Sequence, residues 1–255
     1  MNQFNSKKRR KNKQRKILFR NLFIVALVVS AIVLLLLSPI FNVKDIQIVG
    51  NNSVSTDTIK SMLKIDDKTN IFKETSGKIN QKLKENPYIE KVDVSKKLPS
   101  TLKLTIHERT VDFMLEFGGS FAYINNDGYI LEVNSKEAPN KLIIRGYTTS
   151  VENIIPGNRI CNEDLQNLNN VIEVVKIMNE KGLGELVSII DIRDKSNFVL
   201  ILPNKLKTVY LGDTNNLNIK LKYLKAILDK TEGLEGSIFL NRDLNKENPY
   251  FAERV

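Results

Sequence analysis

The chain contains one histidine, His107, and one cysteine, Cys161. A metal site built from such ligands needs three or four of them, so neither founds one alone. His107 shares the polar side of an alternating segment with Lys103 and Thr105, and reads as a surface residue. Cys161 is expected to be a small buried or half-buried residue, with no neighbour that would activate a thiolate. A serine nucleophile could use Ser-x-x-Lys, which occurs at 61–64 and 100–103. Neither copy is joined by the Ser-Asp-Asn or Lys-Thr-Gly elements which that chemistry requires. There is no Gly-x-Ser-x-Gly elbow, phosphate-binding loop or dinucleotide fingerprint. Glycoside hydrolysis would need two carboxylates across a sugar-sized cleft. The adjacent pairs Asp66-Asp67 and Glu163-Asp164 read instead as solvated turn and helix-start residues. These residues point away from an enzyme, a metal centre or a cofactor, and toward binding.

Two short segments are candidates for that binding. Ser237, Ile238, Phe239 and Leu240 form an apolar strand, followed by Asn241, Arg242 and a mostly polar tail. At a sheet edge its unpaired backbone groups would invite a strand from another chain; inside a sheet they would be fully paired. Tyr250 and Phe251 either pack back on the domain or meet a partner, aromatics being enriched at interfaces.

The elements that must position these residues begin at a membrane. From Leu22 to Phe41 no residue is charged and nearly all are apolar. Roughly 20 such residues at about 1.5 Å each cross a hydrocarbon core of about 30 Å. Nine basic residues, Lys7 to Arg20, precede the run, and no acidic residue appears before Asp45. This asymmetry predicts a cytoplasmic tail over 1–20, an uncleaved membrane helix over 21–41 and an exported remainder. No Ala-x-Ala-like cleavage site follows the run. Without the tail, 30 basic residues face 29 acidic ones, so the net charge of +10 sits beside the anchor and implies no nucleic-acid partner. A single cysteine allows no internal disulfide, so the exported part relies on ordinary cores.

The exported part opens with a strand over 44–49 and a turn at Gly50-Asn51-Asn52. A short helix follows, with Ser55 as its N-cap and Ile59, Met62 and Leu63 on one face. A second helix over 74–85 ends at Asn86-Pro87. A hairpin then runs through 89–96 and 101–108, with Leu102, Leu104 and Ile106 on one face. The order β-α-α-β-β suits two helices on one face of a three-stranded sheet.

A second domain, 110–241, carries a hairpin at Asn125-Asn126-Asp127-Gly128 and a short strand over 142–144. Amphipathic helices follow over 163–181 and 217–229, separated by strands over 186–193, 198–202 and 208–211. The strand at 237–240 closes the domain, leaving 242–255 as a tail. The expected class is α+β: one membrane helix, a small βααββ domain and a mixed domain on an antiparallel-rich sheet.

Several local sequences resemble the FtsQ/DivIB family of bacterial cell-division proteins. They are Val43 to Asn51, Val54-Ser55, Asn86-Pro87-Tyr88-Ile89, Leu98-Pro99-Ser100-Thr101-Leu102 and Ile106-His107-Glu108-Arg109. Asp127-Gly128 and the region ending at Gly146 fit more loosely, and the last third fits by element order. The resemblance implies that 42–109 is a POTRA domain and 110–241 the family's β domain. It also implies a non-enzymatic septal scaffold that binds FtsL-type and DivIC/FtsB-type partners outside the membrane and helps recruit and regulate the septal peptidoglycan synthase. In the family the last strand accepts the DivIC/FtsB-type partner; here that maps to Ser237, Ile238, Phe239 and Leu240, with Asn241 and Arg242 beside them. A POTRA-bearing adaptor for envelope protein transport and an anchored cell-wall enzyme are the competing readings.

Overall fold

The structure, a computed structural model, describes residues 2–244 and 246–254. Met1, Asn245 and Val255, which fall in the two expected tails, lie outside the described residues. The chain forms two compact units, one of residues 1–84 with 91–107 and one of 85–90 with 108–255.

The first unit opens with helix α1, Asn2–Leu36, whose Lys16–Leu36 part is long and apolar enough to cross a membrane and has none of its surface buried. The α-helix stops at Leu36, short of the expected 41. Pro39 disfavours a helical residue before it, and Pro39–Phe41 forms a 3-10 turn capped by Ser38. The order then runs β1 (Asp45–Val49), α2 (Thr56–Leu63), α3 (Ser76–Leu83), β2 (Ile89–Lys97) and β3 (Thr101–Glu108). Ser55 Oγ accepts from the Thr58 N–H at 3.1 Å and Thr75 Oγ1 from the Lys78 N–H at 3.3 Å, so both helices start on side-chain caps. The sheet order is β1-β3-β2, with β1 parallel to the central β3. Ile59 and Leu63 from α2, Ile79 and Leu83 from α3, and Leu102, Leu104 and Ile106 from β3 are buried. Their helical and alternating spacings turn each set inward. Gly50 ends β1 at φ +84°, where a Cβ would lie 2.5 Å from the Ile106 carbonyl oxygen. Asn80 on α3 bonds both backbone groups of Val92 on β2, at 2.7 and 3.0 Å, which occupies part of that edge strand.

The second unit is built on a nine-stranded sheet. Its strands are β4 (Phe113–Phe117), β5 (Ser120–Ile124), β6 (Ile130–Asn134), β7 (Leu142–Arg145), β8 (Ile189–Asp191), β9 (Phe198–Leu202), β10 (Lys207–Gly212), β11 (Gly236–Phe239) and β12 (Tyr250–Glu253). Their order is β12-β11-β10-β9-β8-β7-β4-β5-β6. Helices α4 (Asn162–Glu180) and α5 (Leu217–Lys230) interrupt the chain after β7 and β10. Leu168, Val171 and Val174 of α4 join Leu221 and Leu224 of α5 in one core with Ile190, Leu200, Val209 and Ile238 of the sheet. A smaller cluster of Met114, Tyr123 and Ile143 is packed by Val111, Phe121, Ala138 and Ile189.

Three strands differ from the expected layout, which placed none over 113–117. β4 carries three consecutive buried residues, Phe113, Met114 and Leu115. Its neighbours β5 and β7 flank it and the two clusters take alternate side chains, so it lacks the alternation of a half-buried strand. β12 lies within the expected tail. The strand expected over 186–193 shortens to Ile189–Asp191 behind a 3-10 turn at Gly184–Leu186.

Segment 85–90 is fastened to the second unit by side chains of the family-like motifs. The Tyr88 hydroxyl donates to Glu132 Oε2 at 2.9 Å, and burial followed by that carboxylate raises the phenol pKa. Arg109 Nη1 donates to the carbonyls of Pro87 and Ile89 at 2.8 and 3.0 Å, while its guanidinium stacks 4.3 Å above the Tyr129 ring.

Candidate partner-binding edge

The residues that could have carried chemistry are dispersed. His107 Nε2 lies 2.8 Å from an Asp93 carboxylate oxygen on exposed strand positions. Ser61 donates to the Thr58 carbonyl at 2.7 Å, within its own helix, and Lys64 is that helix's C-cap. Among the described residues, no group of three or more His, Cys, Asp and Glu side chains could hold a metal ion. Cys161 is exposed as the N-cap residue of α4, which corrects its expected burial. The acidic pair beside it splits. Glu163 is solvated and paired with Lys195, whereas Asp164 is 2 % exposed. Its carboxylate accepts from the backbone N–H and the hydroxyl of both Thr148 and Thr149, at 2.5–3.0 Å. Burial pushes the Asp164 pKa up, but these bonds outweigh it and hold the carboxyl below its usual range.

The binding candidates gather at one end of the nine-stranded sheet. Strand β11 pairs in parallel with β10, Val209 opposite Ile238 and Tyr210 opposite Phe239. On its other side it pairs antiparallel with β12, Ile238 opposite Phe251 and Phe239 opposite Tyr250. Ser237, Ile238 and Phe239 therefore lie on an interior strand, which corrects their expected place at the edge. Leu240 follows, buried, with its N–H on the Tyr210 carbonyl at 2.8 Å. The terminal strand among the described residues is β12, from the segment read as tail.

The seating of β12 has clear physical causes. Gly236 lets it approach: a Cβ there would lie 2.2 Å from the Ala252 carbonyl oxygen and 2.7 Å from the Phe251 ring. Lys207, 4 % exposed, places its ammonium on the carbonyls of Lys205, Thr231 and Leu234 and 5.1 Å from the centre of the Phe251 ring. Burial, then neighbouring Lys205, lowers the Lys207 pKa. Arg254 donates its N–H to the Glu235 carbonyl at 2.9 Å and pairs with the Glu235 side chain at 2.8 Å.

The Arg254–Glu235 bond also fixes which groups face outward. Hydrogen-bonded pairs alternate along an antiparallel ladder, so Ala252 with Ser237 and Tyr250 with Phe239 are the next bonded pairs. The backbone groups of Phe251 and Glu253 consequently point away from β11, toward solvent.

On the sheet face opposite buried Val209 and Ile238 runs a row of rings. Tyr210 and Phe239 stack with centroids 4.9 Å apart, and Phe239 and Tyr250 at 4.8 Å. The Arg242 guanidinium covers the end of the row, 4.9 Å from the Tyr250 centroid, and is held by Glu247 at 2.6 Å. Asn241 turns aside to bond Asn197 at 3.2 Å. Below the other end of β12 a groove of about 500 Å³ opens, lined by Leu206, Lys207, Gly236, Glu253 and Arg254 among others. Sequence reading missed Tyr210, Gly236, Lys207 and Glu253 as parts of this site. The alternation of Tyr210 with buried Val209 and Leu211 was visible, but its row partners come from strands distant in sequence.

Together these features define a two-unit α+β protein that carries, among the described residues, one membrane-length helix and an open sheet edge beside an aromatic row. Comparison with known proteins places that class. Residues 41–109 match the family described as "POTRA domain, FtsQ-type", and residues 113–236 match "FtsQ/DivIB, C-terminal related". The cell division protein DivIB of Clostridium tetani is 26 % identical over 216 residues, covering 84 % of this chain and 80 % of the relative. DivIB of Clostridium botulinum strain Loch Maree is 28 % identical over 240 residues, 89 % of this chain and 85 % of the relative. The cell division protein FtsQ of Rickettsia bellii is 24 % identical over 218 residues, covering 84 % and 73 %. The chain belongs to the FtsQ/DivIB family of cell division proteins.

Proposed function

We infer that this protein is a non-enzymatic scaffold of the division septum, crossing the membrane once with its N-terminus in the cytoplasm. Its extracytoplasmic units bind FtsL-type and DivIC/FtsB-type proteins, and the complex helps recruit and regulate septal peptidoglycan synthesis. The observation that carries this reading is the uncovered strand β12 beside the Tyr210–Phe239–Tyr250 row. A partner strand laid along β12 would take up the outward N–H and C=O groups of Phe251 and Glu253. The rings and the Arg242 guanidinium would supply the contact area in which binding energy concentrates.

The site thus keeps Tyr250, Phe251 and Arg242 as contact residues and gives Phe239 a place in the row. Ser237, Ile238 and Leu240 support the edge from inside the sheet. The basic run in the N-terminal part of α1, ahead of its apolar stretch, supports the orientation, since positive residues stay cytoplasmic.

The test has two parts. A fluorescent fusion of the full chain should gather at midcell, and depletion should block septation; uniform envelope labelling with normal division would sink the reading. The full chain in detergent should also co-purify with a DivIC-type partner, and failure to do so would remove the edge assignment.

A further inference from the structure

The junction between α1 and the first unit is built as one piece. Asn70, 4 % exposed, donates from Nδ2 to the Leu36 carbonyl at 2.9 Å, closing one of the acceptors that a helix end leaves open. The Ile71 N–H donates to the Phe41 carbonyl at 2.8 Å and the Val43 N–H to the Thr69 carbonyl at 2.9 Å. Asn42 Nδ2 bonds the Asp67 carbonyl at 3.0 Å, and the Phe41 and Phe72 rings meet at 5.2 Å. The loop over 66–73 is therefore fastened to the exit of the apolar helix with no free linker between them. The turn between β2 and β3 shares this end: the Lys44 N–H bonds the Ser100 carbonyl at 2.9 Å, and Asp45 is in register with Thr101.

Around this exit Leu37, Ile40, Phe72 and Leu98 are exposed. Lys44, Lys68, Lys73, Lys96 and Lys97 lie on the same segments, with Lys96 Nζ 5.9 Å from the Phe72 ring centre. The acidic residues there are Asp45, Asp66 and Asp67. Asp66 is turned into its own loop, accepting from Thr69 Oγ1 at 2.6 Å and the Lys68 N–H at 3.1 Å. Asp45 accepts from Gln47 Nε2 at 3.0 Å. Apolar and aromatic side chains interleaved with lysines are the composition that settles at a headgroup layer, rings at the boundary and ammonium groups reaching outward.

We propose that this end of the first unit is a membrane-contact surface for anionic phospholipid headgroups, with Phe72 and Leu98 at the boundary and the lysines on the phosphates. The occupant follows from continuity: the headgroup layer begins where the apolar helix ends, and Asn70 ties the surface to that point. The inference rests on the reading that α1 spans a membrane, and goes beyond it by giving the first unit a lipid contact of its own.

The chain has no tryptophan, so a single introduced one reports alone. Phe72→Trp, Ile24→Trp and Asn52→Trp are made in the full chain. Ile24 lies within α1, and Asn52 lies past the opposite end of β1 from the helix exit. Each variant is reconstituted into phosphatidylglycerol–phosphatidylcholine vesicles carrying a nitroxide either at the headgroup or deep in the acyl chain. F72W should lose more emission to the headgroup probe than to the deep one, I24W should show the reverse, and N52W should be little quenched by either. If the deep probe quenches I24W but F72W is quenched no more than N52W, the lipid contact is overturned while the spanning helix stands. If I24W is not quenched, both readings fail. Equal F72W quenching in vesicles of phosphatidylcholine alone would overturn the preference for anionic headgroups.

Discussion

Asp164 shows how one side chain can contradict its neighbourhood. As half of an adjacent acidic pair at a helix start, it reads as solvated, and Glu163 behaves that way. The fold instead draws the segment at Thr148 and Thr149 over Asp164, which satisfies two backbone N–H groups and two hydroxyls. Asp164→Ala should cost roughly 2 kcal/mol or more, because buried donors lose their acceptor. Its folded pKa lies below the unfolded value of about 3.9, so the carboxylate stabilises fully above that value and loses its effect as pH falls through the folded pKa. Denaturant unfolding of the full chain in detergent should show the gap between wild type and D164A unchanged from neutral pH to about 4 and narrowing as pH falls below that value through the folded pKa; a gap that instead narrows between neutral and about pH 5 would mean that the Asp164 charge is not its source.

Strand β12 illustrates what an element adds. Its composition, Tyr-Phe-Ala-Glu within a polar stretch, carries no strong strand signal, and it forms because Gly236 leaves room and Lys207 and Glu235 hold its end. Glu253→Pro removes a backbone N–H that faces solvent, so the ladder to β11 persists. Capture of a DivIC-type partner should weaken roughly tenfold, about the value of one backbone hydrogen bond, while E253A binds normally. A binding titration with the full chain checks this, and unchanged affinity for E253P would exclude strand addition at this edge. Gly236→Ala should displace β12 and lower affinity further, with α4 and α5 still packed on the sheet, readable as retained helical circular dichroism. Proline at Ile238 would be a poor test, since that residue is paired on both sides and fully buried.

For the whole molecule, orientation decides which surfaces a partner can reach. Cys161 is the sole cysteine and is exposed, so it serves as a built-in reporter. A membrane-impermeant maleimide should label it in intact protoplasts, as the basic residues ahead of the apolar part of α1 require. Labelling only after lysis would reverse the orientation and remove the proposed extracytoplasmic binding. The same full-chain protein carries the scaffold reading, because β12 and the exit of α1 belong to different compact units of one chain.

Much of this was legible in the residue order. The uncharged run from Leu22, the cap at Ser55, the alternation of Leu102, Leu104 and Ile106, and the helical stripes of α4 and α5 are local patterns, whereas the cap at Thr75 is seen only in the structure. Local backbone geometry forces local spacing, so residue order alone sufficed for the membrane-length helix, the βααββ order and both helices of the second unit. Strand order is non-local. Alternation tells which side of a strand is buried but not which strand lies next to it, and β4 has no alternation because its side chains are buried on both sides. Folding in three dimensions set Ser237, Ile238 and Phe239 inside the sheet, β12 at its edge, and Tyr210, Phe239 and Tyr250 in one row. Those placements depend on backbone pairing between segments tens of residues apart, and on the space that Gly236 leaves for a neighbouring chain.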